Sequence, residues 1–249
     1  VKMERKYWAP AVERAHLVLQ AVAANPARLR LTDLTEKTGI NKSTMFSLLH
    51  TMEELEWLRR DGADCYALGS IFASLGSAYL SGHPLIDRFL EKAKSTVERI
   101  GETVQLSRLE RREIVYLAKK EAPHPVRLLS EPGSRMPAHS TAMGKALLAG
   151  MADPDIRKLY EGYEWERLTP HTIGSVEPLL AELASVRREG CAFDAEEAVL
   201  GFRCVAAPVL DAGGSPQAAV SVSMLSQAWE SKRDAAERAI RELAAELSS

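Results

Sequence analysis

The stretch from Leu31 to Leu68 constrains this chain more than any other: LTDLTEKTGINKSTMFSLLHTMEELEWLRRDGADCYAL. It reads as helix, tight turn, helix and two-stranded hairpin. That is the order of a winged helix-turn-helix, a module that lays one helix in the major groove of DNA. The first helix is expected to begin at Thr32, whose hydroxyl can cap a free N–H, with Glu36 in its early turns. Gly39 supplies the left-handed residue that ends a helix. Ile40 fills the interhelical angle, and Asn41 caps a second helix running to about Glu56. Met45, Leu48, Leu49, Met52 and Leu55 recur at helical spacing and form its buried stripe.

The other face of the second helix carries Lys42, Ser43, Thr44, Phe46 and Ser47 in its first turns, where a recognition helix meets bases and phosphates. Thr32 is the candidate contact on the first helix. Asp61-Gly62-Ala63-Asp64 lies between Trp57–Arg60 and Cys65–Leu68 as a hairpin turn, which places Arg59 and Arg60 at the tip of a wing.

Bulk charge adds little to this. The 249 residues carry a formal net charge of −2. Residues 1–69 hold ten Lys or Arg against nine Asp or Glu, so any basic character is local. There is no apolar run of 18 residues and no signal-like start, so a cytoplasmic protein without a membrane span is expected. The three cysteines, Cys65, Cys191 and Cys204, suit neither a metal cluster nor a disulfide framework, which points to reduced thiols and no cofactor.

Ahead of the motif, Pro10 suits a helix start, and Ala15, Val18, Leu19 and Val22 form a stripe that ends at Asn25-Pro26. After it, Ser70 can cap a helix over about Ile71–Leu80, with Ile71, Leu75, Ala78 and Tyr79 on one face. Gly82-His83-Pro84 breaks that helix. A longer one follows, with Ile86, Phe89, Leu90, Ala93, Val97 and Ile100 aligned. The period then changes. Thr103–Leu109, Glu113–Lys119, Val126–Leu129, Arg203–Leu210 and Ala218–Leu225 read as strands. Thr141–Ala149, Pro154–Glu161, Val176–Glu189 and a C-terminal amphipathic stretch read as helices. Mixed elements without strict alternation predict an α+β fold. The division expected is a DNA-binding domain over 1–69, a linker helix over 70–83, and a second domain over 84–249.

Three segments of the second domain could build a site. Pro137–Lys145 places a polar cap before a helix, whose first amides at Ala142 and Met143 suit a carboxylate. Phe193-Asp194-Ala195-Glu196-Glu197 leads to Gly201-Phe202-Arg203-Cys204. Val220-Ser221-Val222-Ser223 puts both serines on one face of a strand.

Together with the winged helix, these segments resemble the IclR family of bacterial transcriptional regulators along essentially the whole chain. The blocks that carry the resemblance are NKSTMFSLLHTMEELEWLRRDG, GSRMPAHSTAMGKALLA, FDAEEAVLGFRCVAAPV and AAVSVS. The resemblance implies a GAF-like α/β effector domain that binds small organic acids, and dimers that often pair into tetramers on DNA. It implies that the amides of Ala142 and Met143 hold a carboxylate, and that Asp194, Cys204, Ser221 and Ser223 are polar ligand contacts, with Phe202 beside them. The serines are expected to donate to ligand oxygens, and Asp194 to accept from a hydroxyl, a hydrated carbonyl or a bridging water. This chain departs from the family pattern at Asn41 (usually Pro), Ser47 (usually Arg), Met143 (usually smaller) and Met224-Leu225 (usually Gly-Pro). The function expected is a ligand-responsive repressor on a pseudo-palindromic operator. Two other readings remain at this stage. Cys204, His139 and Asp194 are the residue types of a thiol hydrolase, although no nucleophile elbow or phosphate loop is present, and a winged helix can also bind proteins.

Overall fold

A computed structural model describes residues 7–123 and 130–248. The chain divides into two compact units, Val1–Gly82 and His83–Ser249. No helix among the described residues is long and apolar enough to cross a membrane.

The first unit contains α1 (Pro10–Ala24), α2 (Leu31–Thr38), α3 (Lys42–Glu54), β1 (Leu58–Arg60), β2 (Tyr66–Leu68) and α4 (Ile71–Ser81). Pro10 stands at the start of α1, where its missing N–H costs nothing. The N-terminus of α2 differs from expectation. The helix begins at Leu31, and the Asp33 carboxylate accepts from the Arg30 amide at 2.8 Å, so Thr32 is an exposed first-turn residue and not the cap. Gly39 is left-handed, and Asn41 Oδ1 accepts from the Thr44 amide at 2.9 Å, both as expected. α3 stops at Glu54 because Glu56 takes a positive φ of 57°, and Leu55 is exposed instead of completing the stripe. Ala15, Val18, Val22, Leu34, Met45, Leu49, Met52, Leu58 and Tyr66 form one core.

β1 and β2 pair antiparallel, Arg59 opposite Ala67. Gly69 follows at a close approach, where an added Cβ would lie 1.8 Å from the Glu56 carbonyl oxygen. Ser70 precedes α4 but gives it no side-chain cap, contrary to expectation, because its backbone is already helical. No residue of α4 is buried, and Leu75 is 57% exposed.

The second unit begins with α5 (Pro84–Ile100), whose residues Ile86, Phe89, Ala93, Val97 and Ile100 are buried while Leu90 is exposed. It continues with β3 (Val104–Glu110), β4 (Glu113–Lys120), β5 (Arg135–Pro137), α6 (Ala142–Leu148), α7 (Asp153–Leu159) and α8 (Val176–Glu189), then β6 (Ala192–Ala195), β7 (Phe202–Leu210), β8 (Pro216–Leu225) and α9 (Ser226–Leu247). The six strands form one antiparallel sheet in the order β5-β4-β3-β8-β7-β6. The strand expected over Val126–Leu129 lies outside the described residues, and β5 and β6 were not expected as strands. α5 and α9 pack on one face of the sheet, with α6 against the other. The expected α+β class holds, with mixed helix and strand in the second unit.

Register places the polar residues of the sheet in rows. Asp194 on β6 is opposite Cys204 on β7, and Cys204 is opposite Ser223 on β8. In the next row Ala206 is opposite Ser221, and Ser221 is opposite Gln105 on β3. Strand alternation gives all of these side chains the same face.

Candidate functional site

The first candidate surface is the start of α3 and the wing. Lys42 is exposed at the first position of α3, and Phe46 is 65% exposed one turn on. The hydroxyls of Ser43 and Ser47 are turned inward on their own helix, Ser43 donating to Asn41 Oδ1 at 2.9 Å and Ser47 to the Ser43 carbonyl at 3.2 Å. Thr44 is half-buried and supplies the capped amide. The two wing arginines lie on β1 next to the turn and face opposite ways, as successive strand residues do. Arg60 pairs with Glu53 of α3 at 3.2 Å and reaches Asp64 at 3.5 Å. It borders a depression with Thr32, Phe46, Arg30, which is part of the local basic character of this segment, and His50, which was not singled out from sequence. Arg59 borders a separate depression on the other side.

The second candidate site is a cavity of about 410 Å³ in the second unit. All seven residues expected to touch an effector line it: Ala142, Met143, Asp194, Phe202, Cys204, Ser221 and Ser223. Gln105, Tyr116, Ser130 and Thr141 line it too and were not foreseen as site residues. Thr141 caps α6, its Oγ1 accepting from the Gly144 amide at 3.0 Å. The α6 ladder opens with the Lys145 amide on the Thr141 carbonyl, so the amides of Ala142 and Met143 stand ahead of it. The Met143 side chain is buried, with its sulfur 3.1 Å from the Ser107 hydroxyl.

Across the cavity, Asp194 Oδ1 accepts from the amides of Glu197 (2.6 Å) and Ala198 (3.4 Å). Burial pushes the Asp194 carboxyl up to about 7, and the nearby Glu197 charge adds to the rise against the pull of the amides and Lys145. Lys145 is 1% exposed, with Nζ 2.6 Å from Glu197 Oε1 and 3.0 Å from Glu182 Oε1. The two serine hydroxyls expected to meet a ligand are tied into the sheet in this structure. Ser221 and Ser223 donate to Gln105 Oε1 at 3.1 and 3.0 Å, and Gln105 Nε2 donates to Ser130 Oγ at 2.8 Å. Cys204 donates to Ser223 Oγ at 3.1 Å.

Of the residue types of a thiol hydrolase, Cys204 and Asp194 meet in the cavity, but His139 does not join them. Burial, reinforced by Asp194, raises the Cys204 thiol well above its ordinary range, which disfavours the thiolate. His139 is fully buried outside the cavity lining, against Tyr160, Tyr163 and Trp165, with Nε2 3.1 Å from the Glu166 carbonyl. Burial lowers its pKa, as suits a neutral core imidazole.

A winged helix-turn-helix followed by an α/β unit with a largely apolar cavity that carries a few polar groups is the layout of a ligand-responsive class of DNA-binding protein. Comparison with known proteins gives the family. Residues 77–249 match the bacterial transcriptional regulator IclR C-terminal family, and residues 11–62 match the IclR helix-turn-helix domain. The HTH-type transcriptional regulator XynR of Escherichia coli K12 is 34% identical over 216 residues, covering 86% of each chain. The transcriptional repressor IclR of the same organism is 30% identical over 216 residues, covering 86% of this chain and 79% of its own. The crystal structure of Thermotoga maritima IclR superposes with a TM-score of 0.75 at 28% identity, covering 96% of this chain and 97% of that one. The chain belongs to the IclR family of transcriptional regulators.

Proposed function

We propose that this regulator is a repressor whose hold on its operator is set by a small organic acid bound in the cavity of the second unit. The observation that carries this is the convergence of the α6 amides with the Asp194–Cys204–Ser223 row around one cavity. The acid's carboxylate sits on the amides of Ala142 and Met143, where backbone N–H groups and the helix dipole favour negative charge. Asp194 and the serines receive its other polar end. Met136, Met143, Val199 and Phe202 supply apolar walls, so the acid is held partly by its carbon skeleton. Residues 1–69 form the DNA-binding domain, 70–83 the linker helix and 84–249 the sensor. The exposed apolar residues Leu75 and Tyr79 favour pairing of chains into dimers, and of dimers into tetramers. A dimer presents two recognition helices to half-sites about 34 Å apart or a multiple of it. By linkage, operator DNA changes the affinity for the acid by the same factor as the acid changes the affinity for DNA.

The test is a melt of the full chain against aliphatic and aromatic carboxylic acids, because a specific ligand raises stability by mass action. The affinity of such an acid carries a pH signature. Asp194 titrates near 7 in the free protein, and an anionic ligand beside it favours the protonated form. Binding therefore takes up a proton above pH 7 and weakens as pH rises, by up to about tenfold per unit. Isothermal titration between pH 5.5 and 8.5 is expected to show this slope, and Asp194→Asn to flatten it. A flat wild-type profile would count against contact between ligand and Asp194.

On the DNA side, Lys42→Ala is expected to weaken binding to all sequences alike and to reduce the slope of log affinity against log salt by about 1, since one phosphate contact is lost. Arg59→Ala is expected to weaken binding as well, whereas Arg60 is already engaged by Glu53. Fluorescence titrations of labelled duplex at several salt concentrations measure both. If neither Lys42→Ala nor Arg59→Ala moves affinity or slope, the docking face lies elsewhere.

A further inference from the structure

Gln105 is fully buried on β3 and belongs to none of the three segments that suggested the cavity. Its amide stands between Ser221, Ser223 and Ser130, with every contact at hydrogen-bond distance. A serine hydroxyl has one proton to give and lone pairs to receive with. At Ser221 and Ser223 that proton is already spent on Gln105 Oε1, whose two lone pairs are thereby filled. The Cys204 thiol turns its own proton toward Ser223. What remains for a ligand at the two serines themselves is a pair of acceptor oxygens, with no hydroxyl proton from either; the Tyr116 hydroxyl, Ser130 and Asp194 line the cavity beside them. The opposite end, at the amides of Ala142 and Met143, offers donors. The amides and the serine pair thus make opposite demands on a ligand, the first giving hydrogen bonds and the second receiving them.

We propose that Gln105 determines the specificity of this cavity: by taking the protons of Ser221 and Ser223 it makes both accept, so the cavity selects a carboxylic acid bearing a hydroxyl over its oxo counterpart. The inference rests on the acid-sensing reading above and adds to it the kind of group at the acid's far end. A hydroxyl donates to the waiting oxygens. A carbonyl set against Ser221 and Ser223 has nothing to donate and faces their lone pairs, leaving both partners unsatisfied. Gln105 is a positioning residue in this scheme, acting through the serines.

Three matched pairs of acids test it on the full chain: lactate with pyruvate, 3-hydroxybutyrate with acetoacetate, and 4-hydroxypentanoate with 4-oxopentanoate. The pairs differ in whether the oxygen is hydroxyl or carbonyl and step it along the carbon chain. Titration calorimetry reads the ratio of affinities within each pair. For the best-fitting pair the wild type is expected to prefer the hydroxy acid by roughly five- to 100-fold, the range for leaving a buried polar group unpaired. Gln105→Met keeps the volume but removes the acceptor, freeing both serine protons to turn into the cavity, and is expected to abolish or invert the preference. Gln105→Glu still offers an oxygen to both serines and is expected to keep the preference even as overall anion affinity falls. A wild type that favours the oxo acids overturns the proposal. So does a Gln105→Met variant with the wild-type ratio, or a Gln105→Glu variant that loses the preference. The wild-type and Gln105→Glu results decide the matter even if Gln105→Met does not fold. Failure of all six acids to bind the wild type overturns this inference, and only a melt in which no aliphatic or aromatic acid stabilises the chain overturns the acid-sensing reading as well; binding without the expected ratios overturns this inference alone.

Discussion

Lys145→Met is expected to cost the second unit about 3–5 kcal/mol of folding stability, the usual penalty for removing one partner of a buried ion pair. Lysine is rarely buried, and here Nζ is almost wholly enclosed between Glu197 and Glu182. Glu182 is partly exposed and can turn to water. Glu197 cannot do so, because its side chain is only 10% exposed and its Oε2 has no hydrogen-bond partner among the described residues. Burial already raises the Glu197 pKa, and Lys145 is the main influence holding it down. Without the cation, Glu197 must take up a proton or pull out of its place, and it lies three residues from Asp194 in the loop that shapes the cavity. Chemical denaturation of the second unit within the full chain measures the loss, which corresponds to a fall in melting temperature on the order of 10 °C. The double variant Lys145→Met with Glu197→Leu is expected to recover most of it, since an apolar pair carries no stranded charge. A single variant within about 1 kcal/mol of wild type would mean that water reaches Glu197 freely.

Gly144→Ala is expected to weaken acid binding by about 100-fold or more while leaving operator binding in the absence of acid unchanged. A Cβ at this position would lie 2.1 Å from the Ala138 carbonyl oxygen and 2.4 Å from the Ala138 Cα. Both obstacles are backbone, so no side chain can swing aside. α6 has to lift from the Ala138–Ser140 turn, which breaks the cap from Thr141 to the Gly144 amide and displaces the amides of Ala142 and Met143. Losing two buried hydrogen bonds at about 1–3 kcal/mol each accounts for the expected factor. The overpacking also destabilises the unit by roughly 1–3 kcal/mol. Calorimetry with any acid that binds the wild type checks the first effect and a melt the second. Undiminished affinity would detach the ligand's carboxylate from this helix.

The legible parts of this molecule are those written in local spacing. The turn at Gly39, the cap at Asn41 and the bounds of α8 follow from residues a few positions apart. The convergence of Ala142, Asp194, Cys204, Ser221 and Ser223 follows from family-like blocks and not from their spacing. Gln105 stayed invisible because its role depends on pairing with Ser221, 116 positions away, and nothing near Gln105 announces that neighbour. The burial of Lys145 was hidden for a similar reason, since its partners Glu182 and Glu197 arrive from distant segments. β5 and β6, at three and four residues, are too short to show an alternation. The first turn of α2 was misplaced because Thr32 and Asp33 are both competent caps and only the backbone geometry at Arg30 chooses between them.

Asp194, Cys204 and Ser223 hang from three adjacent strands at one level of the sheet. Their spacing is thus the pitch of the sheet itself, about 4.7–4.9 Å from strand to strand. That pitch acts as a fixed gauge against which a ligand's oxygens are measured. No point substitution can stretch or shrink it, and slipping a strand by one residue would turn every one of these side chains to the far face. A descendant of this chain that came to sense a different acid would keep the gauge and recut the walls, at Met136, Met143, Val199 and Phe202.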